Sequence, residues 1–256
     1  MKKTIFVTLF LLSIFTFSQE KTFNSAYFYE FTFQRDSTNI ERKYSELMVL
    51  LVNTDESLYT SYVKMKNDSI LLSNFEKSNQ LDFSALPQKS RVNHQAEFNK
   101  ASNSTFIYDK ILNATFKYQS SKIEWKIGNE KKNILGYNCQ NAFCIINKRK
   151  YTAWFTTDIP INDGPYKFKK LPGLVLEVYD DKKYFHFVMK GIKNKQYKIK
   201  PTINSIETTE TQFVQKRNDF FKDPVGASKI YMGDRIRLDD PKSINDKFKN
   251  DNLFLD

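Results

Sequence analysis

The chain has 256 residues, 40% hydrophobic and 15% aromatic, with a net charge of +11. That composition belongs to a folding chain rather than a disordered one, and 23 Phe and 14 Tyr favour pleated, half-buried surfaces. Seven Gly and seven Pro argue against repeats rich in tight turns, and no internal period is found.

Lys2 and Lys3 precede an apolar run from Ile5 to Phe17, and small Ser18 comes before polar Gln19 and Glu20. This is the anatomy of a cleavable secretory leader, residues 1–18. The run is shorter than the about 20 residues a transmembrane helix needs, and nothing later is apolar enough to span a bilayer. Cleavage leaves 256 − 18 = 238 residues and a charge of 11 − 2 = +9. No linker divides them, so one β-rich domain is expected over 19–256, exported to the periplasm or envelope, with secretion from the cell as the alternative. Export excludes nucleic acid as a partner. The basic residues, among them Lys148–Lys150, Lys167, Lys169, Lys170, Lys182 and Lys183, read as solvated turns and strand faces. The functional alternative is weak attraction to an anionic envelope surface.

In chain order, Tyr27, Tyr29, Phe31 and Phe33 alternate with Phe28, Glu30 and Thr32, the period of a strand with one buried face. Ser45–Val52 and Leu58–Val63 are further strands. Lys64–Gln80 reads as a short helix or an irregular excursion, and Leu81–Asn103 as a long surface connection. From Thr105 the pattern becomes a meander: Phe106–Tyr108, Ala114–Tyr118 and Lys122–Ile127 are short strands. Gly136–Ile146 pairs with Tyr151–Thr156, Leu174–Tyr179 with Tyr184–Lys190, and a last strand covers Gln196–Lys200. Thr208–Phe221 is a helix with Phe213, Val214, Arg217, Phe220 and Phe221 on one face and Pro224 just beyond it. The tail from Asp239 is polar and expected to be loosely held. The fold class is therefore mainly β: a curled or sandwiched antiparallel sheet with one C-terminal helix packed on it.

Cys139 and Cys144 are candidates for a disulfide in an oxidising compartment. On one extended strand they would stand about 16 Å apart on opposite faces, so a bridge requires Gln140–Phe143 to reverse the chain.

The densest stretch runs from Tyr151 to Val178. Pro160 bars ladder pairing, Gly164–Pro165 marks a turn, and Pro172–Gly173 is the natural centre of a type II turn. Leu174, Leu176 and Val178 then enter the core. The excursion is read first as a structural turn built on Leu171, Pro172, Gly173 and Leu174. Its alternative is a loop that binds a partner through Trp154, Asp158, Asp163, Tyr166 and Lys167. Leu171-Pro172-Gly173-Leu174, with Gly136–Cys139, Tyr151–Phe155 and Asp163–Phe168 before it, resembles the GLPGLI family of exported Gram-negative proteins. Lys170 and Val175 depart from the motif's first and last positions. The resemblance implies a secreted β protein and brings no activity or catalytic residues.

With His94 and His186 the only histidines, no spaced Cys/His set exists for a metal. There is no G-x-S-x-G, P-loop or dinucleotide fingerprint, so no cofactor is expected. His186 reads as a strand residue. Two functions stand. One is non-enzymatic binding of a hydrophobic ligand, a peptide or another exported protein in an apolar concavity. The other is hydrolysis of peptide or glycan by carboxylates among Asp158, Asp163 and Glu177.

Overall fold

Alternating aromatic and polar residues lower their free energy by pairing into a sheet that turns one face inward. The computed structural model describes residues 20–39, 41–80, 82, 84, 86–202, 204–232, 245, 248, 251 and 253–255. The leader read at 1–18 lies outside them, as does most of the tail from Asp239.

Strands β1 (Lys21–Phe23), β2 (Ser25–Gln34), β3 (Lys43–Val52) and β4 (Glu56–Ser61) lead into helix α1 (Tyr62–Ser78). Strands β5 (Gln95–Asn99), β6 (Ser104–Ile111), β7 (Ala114–Gln119), β8 (Lys126–Ile134), β9 (Tyr137–Ile146) and β10 (Arg149–Thr156) follow. After a long excursion come β11 (Leu174–Asp180), β12 (Phe185–Lys193), β13 (Tyr197–Ile199), β14 (Ile206–Glu207), α2 (Glu210–Lys222) and α3 (Pro224–Met232).

Twelve strands form one sheet in the order β14-β7-β6-β5-β4-β3-β2-β12-β11-β10-β9-β8, and β1 pairs separately with β13. Every ladder of the large sheet is antiparallel except β14–β7. Two meanders, β2–β7 and β8–β12, meet at the β2–β12 ladder, where Phe31 stands opposite Phe187. Their rings stack at 4.2 Å. The mainly β, antiparallel architecture and the C-terminal helix agree with the pattern of the sequence.

The inner face carries the main core, including Tyr29, Phe31, Met48, Leu50, Tyr59, Ile107, Tyr118, Val178 and Phe187. On the other face of β2–β4, Phe28, Val49, Leu51 and Leu58 form a smaller cluster with Phe23. Tyr62 and Met65 of α1 and Tyr197 and Ile199 of β13 cover it. The start of α1 is set by Ser61, whose hydroxyl accepts from Lys64 N, and its end by Asn79 in the left-handed conformation. A capping box of Thr209 and Gln212 starts α2, which buries Phe213, Arg217 and Phe220. Phe213 stacks on Tyr118 at 4.9 Å, fixing the helix on β7.

Several expectations are corrected. Leu81–Asn103 is not wholly a surface connection, because Gln95–Asn99 pairs with both β4 and β6. The strand expected at Lys122–Ile127 does not open at Lys122; it begins at Lys126 and runs to Ile134. Pro224 does lie just beyond the expected helix, which ends at Lys222, but it also starts a further helix, α3, that was not expected. The described end of the tail is docked: Leu255 is buried, Leu253 N donates to Arg35 O at 3.1 Å, and Arg149 Nη1 donates to Phe254 O at 2.8 Å.

Candidate functional site

The excursion between β10 and β11 does not project into solvent. It folds back over the inner face and fills the curl of the sheet. Leu174 N donates to Ile159 O, Val175 N to Asp163 O and Lys170 N to Asn162 O, at 2.9–3.1 Å. Tyr166 lies against the His94 ring at 4.6 Å, and Phe168 against Tyr151 at 5.0 Å. Asp163, Tyr166 and Lys167 of the excursion are therefore buried, as is Trp154 of β10, so four of the five proposed recognition residues are withdrawn from solvent.

Asp163 and Lys169 are each 1% exposed and form an ion pair inside this plug. Lys169 Nζ also donates to Gly164 O at 3.1 Å, and Asp163 Oδ1 accepts from Gly164 N at 2.7 Å. Burial lowers the Lys169 pKa, with the Asp163 carboxylate opposing it. Gly164 is required at this point because a Cβ would stand 2.3 Å from Phe168 O. Lys167 turns to Glu210 of α2 at 3.2 Å. The reading of Lys167 and Lys169 as solvated charges is corrected: each is buried against a carboxylate partner.

Pro172–Gly173 is a bend of another type than expected. Gly173 N donates to Leu171 O at 2.8 Å, closing a γ-turn on Pro172. Gly173 sits at φ +147°, not near the +80° of a type II turn. Leu171 and Leu174 on either side are buried, so these residues serve packing.

Trp154, Glu177 and His186 lie on the opposite face of the sheet, set there by strand parity. Glu177 Oε1 meets His186 Nε2 at 2.7 Å, Glu177 Oε2 takes Lys132 Nζ, and Lys132 Nζ stands 4.3 Å over the Trp154 ring. Burial raises the Glu177 pKa, but bonds from His186 and Lys132 outweigh it and leave it lowered. Asp158 is exposed and accepts from Asn138 N at 3.3 Å. Asp163 is thus separated by the sheet from Glu177, and the three carboxylates do not converge.

Cys139 and Cys144 are free and buried. Gln140–Phe143 continue β9 without reversing, so the thiols stay on opposite faces and the disulfide is not formed. Burial pushes the Cys139 thiol up to about 11 and the Cys144 thiol to about 12. Neither is poised as a nucleophile.

The strongest candidate site lies where the inner face meets α2 and the tail. A cavity of about 290 Å³ opens there. Phe31, Phe33 and Phe185 from the sheet, Phe220 and Phe221 from α2, and Phe248 and Phe254 from the tail give it aromatic walls. Arg35, Arg91 and Arg217 bring guanidinium groups to the lining, and Asp109 and Asp251 bring carboxylates. Arg217 sits 4.1 Å over the Phe254 ring. Among the loop residues proposed for recognition, Tyr166 alone reaches this cavity. The arginines and the tail escaped sequence reasoning because they come from four separate segments with no shared spacing. A second cavity, about 450 Å³, is lined by more polar residues, including Lys167, Glu210, Ser121 and Gln215.

Among the described residues no helix is long and apolar enough to cross a membrane, and no group of His, Cys, Asp and Glu is placed to hold a metal.

Residues 31–218 match the family profile described as N-glycanase peptide, N-terminal domain. Two solved structures of PNGF-II are similar. The first has a TM-score of 0.50 and 20% identity over 75% of this chain and 32% of that chain. The second, another crystal form, has a TM-score of 0.49 and 19% identity over 78% of this chain and 32% of that chain. The likeness to the first is one of fold, and the chain spans about a third of the length of the structures it matches. No protein of curated function matches. The GLPGLI resemblance is corrected by these findings: the family that matches is the N-glycanase peptide one, and in this chain the Leu-Pro-Gly-Leu bend serves packing.

Proposed function

The chain belongs to the N-glycanase peptide N-terminal domain family, and from that premise we propose that it is a non-catalytic binding module for glycans, working as one exported domain in the envelope. The observation that carries this reading is the lining of the 290 Å³ cavity. A sugar ring presents apolar C–H faces and a rim of hydroxyls. The phenyl walls suit the faces, and Arg35, Arg91, Asn93 and Asp109 offer donors and acceptors to the rim. The cavity lies near the lower end of the size range of small-molecule sites, about 300–1,000 Å³, which fits one or two sugar units rather than a long chain.

Hydrolysis by paired carboxylates is the second reading, and its support has moved. Asp163 is held by Lys169 inside the plug, and Glu177 is held ionised on the far face. A general acid needs a raised pKa. Among the described residues, Asp109 and Asp251 are the acidic ones that line the cavity.

The test is calorimetric titration of the mature chain with an N-linked glycopeptide and with the same peptide stripped of glycan. Binding of the first alone, weakened in Phe221→Ala with an unchanged melting curve, supports the proposal. Release of glycan that stops in Asp109→Asn or Asp251→Asn would replace it with the hydrolytic reading. Export is tested by mass spectrometry of the envelope fraction, which should find a mature N-terminus at or near Gln19.

A further inference from the structure

At the mouth of the cavity three guanidinium groups crowd one half-buried ring. Arg91 Cζ stands 5.0 Å from the Tyr44 centroid, Arg35 Cζ 5.7 Å and Arg42 Cζ 6.0 Å. The three come from two places far apart in sequence, the β2–β3 connection and the segment before β5. Arg35 and Arg91 both line the cavity. Arg42 and Arg91 are exposed, and the Arg35 side chain is 41% exposed.

Three like charges so placed repel one another, and among the described residues no carboxylate forms an ion pair with the guanidinium of Arg42 or Arg91. Arg35–Asp251, at 3.9 Å, is the one ion pair they make among the described residues. The nearby carboxylates keep their charge but direct their hydrogen bonds to neutral donors and not to the guanidinium groups. Glu46 takes the Ser61 and Ser90 hydroxyls on Oε1 and the backbone N–H of Arg91, at 2.7 Å, on Oε2. Asp36, within electrostatic reach of Arg42, accepts from Thr38 N at 2.8 Å and Thr38 Oγ1 at 2.6 Å. The arginines are instead held by neutral groups. Arg42 Nε donates to Tyr44 Oη at 2.7 Å, and Arg35 Nη2 donates to Arg91 O at 2.7 Å. A guanidinium anchored on a ring and a neutral acceptor keeps most of its N–H fork for an oxyanion.

We infer that the ligand of this cavity carries an anionic oxy group, a sugar carboxylate or a sulfate ester, seated at Arg35, Arg42 and Arg91. The inference rests on the glycan-binding reading and adds a charge requirement to it. Neutral parts of the saccharide lie along the phenyl walls, and the acidic group sits at the mouth, where the cluster's mutual repulsion is relieved by the anion.

The experiment titrates the mature chain with trigalacturonate, its fully methyl-esterified form and a sulfated galactotriose, at low and high salt. The acidic sugars should bind about tenfold more tightly than the ester, a margin set by one or two charge-assisted bonds. The margin should shrink in high salt, as expected for exposed charges. Arg35→Gln/Arg42→Gln/Arg91→Gln should abolish it. The single Arg91→Gln should reduce it and serves if the triple variant does not fold. Whichever acidic sugar binds more tightly identifies the group as carboxylate or sulfate. Equal binding of ester and acids, with both weakened by Phe221→Ala, would overturn the inference and leave glycan binding intact. Sulfate ion bound at the arginines while no saccharide binds would overturn glycan binding and leave the anion site. Binding of none of these would end both.

Discussion

Among the described glycines, Gly173 is the one held most closely against backbone. Its φ of +147° is rarely reached by a residue with a Cβ, and a Cβ built there would stand 2.0 Å from Thr156 O. Strain and backbone overlap add, so Gly173→Val should cost about 3 kcal/mol of stability. Lys170, three residues earlier, also has positive φ, at 73°. Lys170→Gly relieves about 1 kcal/mol of left-handed strain and gives up the bond from Lys170 Nζ to Asn103 O, 2.8 Å long. Its melting temperature should equal or slightly exceed that of the wild type. Thermal and denaturant melts of the three proteins decide both, and a Gly173→Val variant as stable as the wild type would show that the bend tolerates a side chain. The need for glycine was legible in the Pro-Gly dipeptide, but the turn type was not, because it is set by contact with Thr156, seventeen positions away. The thiols make a second residue-scale case. Their raised pKa values and burial predict that neither Cys139 nor Cys144 reacts appreciably with iodoacetamide in the native state near neutral pH, and that urea exposes both. Mass spectrometry of the alkylated chain counts them. A mass lower by two hydrogens would instead reveal a bridge.

Single strands were readable wherever alternation was regular. β2 follows from Tyr27, Tyr29, Phe31 and Phe33, all buried on one side. β5 was not readable, since Gln95, Glu97 and Asn99 leave Ala96 and Phe98 as its only apolar signal, and its place between β4 and β6 comes from pairing alone. The same limit applies to the outer face of β8, β11 and β12. Nothing in sequence joins Lys132, Glu177 and His186, yet the strands set them side by side. This triad has a pH signature. The Glu177 pKa lies below its ordinary 4.5 in the folded state. The carboxylate therefore contributes stability above the unfolded value, and the contribution is lost as pH falls through the folded value. Glu177→Gln should be less stable than wild type at about pH 7, and the gap should close on acidification toward about pH 3. Urea melts across that range measure it. A gap that stays constant with pH would mean that Glu177 acts through packing and not through charge.

For the whole molecule, the decisive event is the meeting of two meanders that hairpins alone do not bring together. Most hairpins of the two meanders could be traced from their own turns, β5 apart, and the buried Leu174, Leu176 and Val178 were foreseen. The β2–β12 seam was not, since its partners lie more than 150 residues apart in the chain. Nor was the cavity, whose walls come from both meanders, α2 and the tail. The seam is held by a column of rings: Phe31 stacks on Phe187 at 4.2 Å and on Phe33 at 4.9 Å. Phe187 in turn meets Phe168 of the plug at 5.7 Å, so the seam and the excursion share one contact. If the rings couple the two meanders, Phe31→Leu and Phe187→Leu should each destabilise the fold, and the double variant by less than their sum. The shortfall should be about 0.5–1.5 kcal/mol, the range for stacked aromatic pairs. Because pairing across so long a loop forms late, after loop-closure entropy has been lost, both substitutions should act mainly by speeding unfolding and leave the folding rate nearly unchanged. Stopped-flow chevrons of the four proteins test the two claims separately. Strict additivity would show that each ring packs independently, and slowed folding would place the seam in the nucleus that starts the fold.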